Sequence, residues 1–121
     1  MGNRASVSFV KYEVEIGDKE KRLRREESVA LFNHWGGMEF VEEAKKYING
    51  LIKKYGNKSG MPIERREPRT VMVDFIRYLT KEMKEVECDL YLGKDGDDGD
   101  NSDQGHFAIN VDTGFVDKVA R

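Results

Sequence analysis

The stretch Ser28 to Tyr55, SVALFNHWGGMEFVEEAKKYINGLIKKY, constrains this chain more than any other, because an apolar strand-like run enters His34-Trp35-Gly36-Gly37 and passes directly into a helical pattern. In the helical part Val41, Ala44, Ile48, Leu51 and Tyr55 recur every three or four residues, while Glu42, Glu43, Lys45, Lys46, Lys53 and Lys54 mostly fall off that stripe. Its charges run acidic first and basic last, which complements the helix macrodipole, and Gly56 followed by Asn57 supplies a left-handed stop.

Upstream, Val10, Tyr12, Val14 and Ile16 alternate with Lys11, Glu13 and Glu15, the period of a strand with one buried face; Val7 and Phe9 are out of phase with that set and point to a bulge or a second covered face. Gly17-Asp18 opens a charged connection, Lys19 to Glu27, read as the mobile tip of an antiparallel hairpin whose second strand is Ser28 to His34. Its KRLRR run, flanked by Glu20, Glu26 and Glu27, reads as a solvated loop rather than a nucleic-acid contact.

Downstream, Asn57 to Glu67 has no period and is a connector. Pro68 opens a second helix with Val71, Met72, Phe75, Ile76, Leu79 and Met83 on its apolar face. Val86, Cys88, Leu90 and Leu92 then alternate as one strand, and Phe107, Ile109 and Val111 as another; Asp112-Thr113-Gly114 turns into a short final strand at Phe115 to Val119. The order ββααββ with a short terminal strand predicts an α+β fold, a two-layer sandwich with a mostly antiparallel sheet and both helices on one face. The predicted core includes Val14, Leu31, Val41, Ile48, Phe75, Leu79, Leu90 and Ile109.

A length of 121 residues fits a single domain, 1–121. Charged residues form 36 % of the chain with both signs interspersed and a net charge of -2, which argues against general nucleic-acid or membrane binding. The one cysteine excludes an internal disulfide and makes a cytoplasmic, reducing compartment the default. Cys88 reads as a small buried hydrophobe rather than a nucleophile.

The opening MGNRA, the strand-turn LFNHWGG before a helix, and the late GDNSDQGHFAI together resemble a group of small uncharacterised proteins of phages and related microbial elements. Those proteins start with a similar MGNRA, carry a similar HW-G-G turn, and end with an Asp-Asn-x-Asp-x-Gly segment before a strand. Where they have an apolar residue after that Gly, this chain has His106. The resemblance implies a viral or mobile-element setting and no particular reaction.

Two constellations carry chemistry. Hairpin adjacency brings Asn3 and Arg4 towards His34, Gly36, Gly37 and Met38, where helix amides approached through glycines could bind an anion with Arg4 as a forked partner; equally, the glycines could serve only the turn, with Trp35 packed beneath the helix. Asp95, Asp97, Asp98, Asp100 and Asp103 are dense enough in hard oxygen ligands to hold Ca²⁺ or Mg²⁺, yet their spacing fails the EF-hand pattern and suits an Asx-ordered loop as well. An antiparallel arrangement places this acidic loop at the end opposite His34, beside the KRLRR tip. The expectation is a non-enzymatic binding or accessory protein taking a small anionic ligand or a protein partner; the alternative is a metal-dependent enzyme acting on a phosphorylated or nucleotide substrate.

Overall fold

The computed structural model describes residues 2–16, 21–56, 60–87 and 89–119. Among the described residues six strands and three helices follow one another: β1 (Ala5–Ile16), β2 (Lys21–Glu27), β3 (Ala30–Asn33), α1 (Gly37–Tyr55), α2 (Pro62–Arg65), α3 (Pro68–Thr80), β4 (Leu90–Gly93), β5 (Gly105–Asn110) and β6 (Val116–Val119). They form a two-layer α+β protein with a mostly antiparallel sheet, ordered β4-β3-β1-β5-β6, with β2 paired to the far half of β1.

One pair departs from the antiparallel rule. β1 and β5 run parallel, from Ala5 beside Gly105 to Val10 beside Asn110. Parallel neighbours need a long crossover, and here α1, α3 and β4 all intervene. The consequence is positional: β5 starts where β1 starts, so the acidic segment preceding Gly105 arrives at the Arg4 end of the sheet. This corrects the expected separation of that loop from His34.

The core forms where the first half of β1 meets both long helices. Ala5, Val7 and Phe9 share one face with Leu31, Phe107 and Ile109 and pack with Phe40, Val41, Ala44, Ile48, Val71, Met72 and Phe75. The phase of Val7 and Phe9 is therefore the core phase. Phe9 meets Phe75 edge-on at 5.4 Å between ring centroids, and Tyr47 bonds Asp74 across the helix pair at 2.5 Å. Leu31, Val41, Ile48, Phe75 and Ile109 are buried as expected, and Leu79 and Leu90 pack half-buried on the rim. Val14 is not in the core: it is 61 % exposed.

Val14 is exposed because it stands in the phase opposite Val7 and Phe9, facing away from the helices, on the half of β1 that projects beyond β3 and β5. From Lys11 to Ile16 it pairs with β2 alone, in register from Lys11 beside Glu26 to Ile16 beside Lys21. The segment read as a loop tip is thus a strand from Lys21 onward; residues 17–20 lie outside the described residues. The bulge sits on the partner strand: pairing shifts by one residue between Val10 with Glu27 and Val7 with Leu31. The Ser28 hydroxyl accepts from Phe9 N at 3.0 Å, and Ser28 N donates to Phe9 O at 2.9 Å, so the bulge leaves both Phe9 backbone groups bonded.

Elsewhere the local signals hold. α1 ends at Gly56, whose φ of 59° only glycine adopts readily, and α3 starts at Pro68. The connector contains the short α2. The strand expected from Val86 shrinks to β4: Val86 is exposed, and Cys88, expected to point inward, lies outside the described residues. Leu92, though it alternates with the core phase, is 56 % exposed because β4 is the sheet's outer edge. No helix of the described residues is long and apolar enough to cross a membrane.

Candidate functional site

At the start of α1 the expected cluster assembles, with its groups already engaged. Arg4 Nε lies 3.3 Å from His34 Nδ1, so cation and imidazole share one rim as hairpin adjacency predicts. Gly37 N, however, donates to Asn3 O at 2.8 Å, and the Asn3 side chain lies across Gly37, where an added Cβ would clash with its amide. Asn33 Oδ1 accepts from Trp35 N and Gly36 N. Arg4 Nε contacts Asp100 Oδ2 at 3.0 Å, and Arg4 Nη1 contacts Asp103 Oδ2 at 3.3 Å, while Asp103 also accepts from Arg4 N. The anion opening is therefore filled by the chain itself, with Asn3 over the glycine amide and two aspartates on the arginine. Met38 is exposed beside it, and Trp35 points outward rather than beneath the helix.

The acidic segment, residues 94–104, is a strap across the sheet face opposite the helices. Its carboxylates serve its own backbone: Asp98 accepts from Lys94 N, Asp95 from Asp97 N, and Asp100 from both the amide and hydroxyl of Ser102. These Asx-type bonds and the Arg4 pairs consume the oxygens that a Ca²⁺ or Mg²⁺ would need. Among the described residues no group of three or more His, Cys, Asp or Glu side chains could hold a metal ion. Asp100 titrates below the usual carboxylate range, held there first by Ser102 and, less strongly, by Arg4 and His34. The glycines let the strap lie flat: a Cβ at Gly96 would stand 2.6 Å from the His106 ring, and one at Gly99 2.8 Å from Phe32.

Beneath the strap lies a buried polar chain that residue patterns did not announce. β1 and β5 place Ser6 opposite His106, and the alternation of the strand puts Ser8 on the same face. Asn101 Nδ2 donates to Ser6 Oγ at 2.8 Å; Ser6 Oγ lies 2.7 Å from His106 Nδ1; His106 Nε2 lies 3.0 Å from Ser8 Oγ; Ser8 donates to Glu27 Oε2 at 2.5 Å. A neutral ring carrying its proton on Nε2 satisfies every link in one direction, from amide to carboxylate. Glu27 is held down to about 2, above all by the His106 ring facing it; burial opposes this, and Ser8 and Arg25 add to the lowering. The serines are buried to within 1 %, so no substrate reaches their oxygens and the chain fixes the strap and β2 to the sheet. The signal available in sequence was the pairing of small polar Ser6 and Ser8 with His106, legible only once the parallel register is known.

Beside the strap the same face opens. Arg25, Glu27, Asp95, Gly96, Asp97, His106 and Val119 line a cleft of about 470 Å³. It continues onto the β1–β2 ribbon, whose two faces differ. On the helix side, directly paired residues carry opposite charges, Lys11 with Glu26 and Glu13 with Arg24. On the cleft side Tyr12 pairs with Arg25 and Val14 with Leu23, and Tyr12, Val14 and Leu23 are 42 %, 61 % and 69 % exposed. Arg25 is anchored there by Tyr12 Oη at 3.2 Å and Glu27 Oε1 at 2.9 Å.

These features define an α+β two-layer protein with a buried polar anchor and a projecting ribbon. Comparison with protein-family models, curated proteins and solved structures gives no match.

Proposed function

We propose that this chain is a binding protein that engages a protein partner through the cleft side of the β1–β2 ribbon. The observation that carries the reading is the exposed apolar row Tyr12, Val14 and Leu23 on a ribbon that leaves the core. A two-stranded ribbon is marginal alone in water, and covering apolar surface contributes about 25 cal/mol per Å². A partner laid on this face therefore stabilises the ribbon as it binds. Tyr12 and Arg25 together supply the residue types that anchor interfaces, an amphipathic ring and a pre-oriented guanidinium. The anion reading is weaker, since Gly37 N and Arg4 already have partners within the chain. A viral or mobile-element setting, as the resemblance implies, suits a small accessory binder.

A photo-reactive amino acid at Leu23 tests this, with one at Phe115, equally exposed on another part of the surface, as control. In extracts of cells making the protein, a discrete crosslinked species from position 23 and none from position 115 supports the reading. Equal crosslinking from both positions, or none from either, rejects it.

A further inference from the structure

We infer that the occupant of this face is a second copy of the chain, docked about a two-fold axis so that each ribbon lies across the cleft of the other. The inference rests on the reading that the ribbon binds a protein, and it names which one. The face carries both halves of a complementary pair side by side. The ribbon presents Tyr12, Val14 and Leu23, with Arg25 at its base on the wall of the cleft, bonded to Tyr12 and Glu27 and still 44 % exposed; the rest of the cleft presents the exposed carboxylate of Asp95 with the apolar Val119. A two-fold axis makes residue i of one copy meet residue j of the other while j meets i, so one such face completes two equal sets of contacts.

Geometry and charge agree with that arrangement. The overhang from Lys11 to Ile16 is six residues, about 20 Å of strand at about 3.3 Å per residue, enough to cross a cleft of about 470 Å³. Arg25 of one copy against Asp95 of the other is attractive in both directions across the axis, and a net charge of -2 per chain opposes association only weakly. The ribbon's other face, with Lys11 beside Glu26 and Glu13 beside Arg24, balances its own charges and makes no comparable demand for a partner.

The test is sedimentation velocity of the purified full chain over a wide range of concentration and salt. The proposal expects the 13.9 kDa monomer to convert to a species of twice that mass, with weaker association at high salt. Leu23→Glu is expected to remain monomeric with an unchanged circular dichroism spectrum, and the milder pair Val14→Ser with Leu23→Ser gives the same readout if the charged variant misfolds. The docking itself is tested by Arg25→Glu and Asp95→Lys, each of which should associate more weakly than the native chain. Mixed in equal amounts they should recover association, because the mixed pair has one native and one reversed contact, both attractive. A native chain that stays monomeric throughout overturns the proposal, as does an open series of larger oligomers or a mixture that fails to recover. If the native chain is monomeric while crosslinks from position 23 persist to a different protein, the partner reading stands and the second copy alone is rejected.

Discussion

Ser6 and His106 stand opposite each other in the parallel β1–β5 pair, with Oγ 2.7 Å from Nδ1, beneath a strap that an antiparallel arrangement would have sent to the far end of the sheet. This contact joins the first strand, the fifth strand and, through Asn101, the acidic segment. Replacing His106 with Ala removes one partner from each of two buried hydroxyls, Ser6 keeping Asn101 and Ser8 keeping Glu27. We expect a loss of about 1–3 kcal/mol from the Ser6 proton left without its acceptor, read by urea denaturation, with His106→Ala lowering the midpoint far more than Val86→Ala on the exposed surface.

Glu27 gives the pH dependence. Its carboxyl titrates at about 2 in the folded chain against an ordinary 4.5, so its stabilising effect is present above pH 4.5 and is lost as pH falls from about 4.5 towards 2. Glu27→Gln should flatten the acid limb of a stability-against-pH curve in that window. An unchanged limb would show that Glu27 is not coupled to His106 and Ser8.

Arg4 tests the strap. Arg4→Ala deletes the side-chain contacts to Asp100 and Asp103, and partly exposed pairs of this kind contribute about 0.2–1 kcal/mol each. The melting temperature should fall modestly while amide exchange across residues 95–104 accelerates. Accelerated exchange in α1 instead would place the role of Arg4 at the helix start.

Gly50 and Gly37 make opposite predictions from the same residue type. Gly50 lies mid-helix with nothing within 4 Å of an added Cβ, so Gly50→Ala should stabilise by about 1 kcal/mol. Gly37 has φ of 54° and the Asn3 side chain in the place an added Cβ would take, so Gly37→Ala should destabilise and loosen the N-terminal segment. Thermal unfolding of the two variants side by side decides the point.

The helices and the core face of β5 were legible because their patterns are local: the stripe from Val41 to Tyr55, the proline opening α3, and the alternation of Phe107, Ile109 and Val111. The layer arrangement followed from element order. What stayed hidden was non-local. Alternation alone could not say which of its two phases in β1 is the core phase, with Val7 and Phe9 facing the helices and Tyr12 and Val14 on the opposite face of the projecting half. Nor could the KRLRR run show itself as a strand, because its charges match those of a partner in β1 and the match appears only in register. Arg4 and His34 were brought together by hairpin adjacency, which the sequence does contain. Asn3 covers the opening from the same hairpin side, bonding His34 O and Gly37 N, whereas Asp100 and Asp103, arriving just before β5, depend on the parallel pair, which the sequence does not contain.

On the proposed reading Val14 and Leu23 serve association and not the fold of the single chain. The unfolding free energy of the Val14→Ser, Leu23→Ser double variant, at concentrations where the native chain is monomeric, is then expected within about 0.5 kcal/mol of the native monomer, as for exposed positions. A loss of several kcal/mol, of the size expected for truncating a core residue such as Phe75, would show that the ribbon folds back on its own domain and would contradict it.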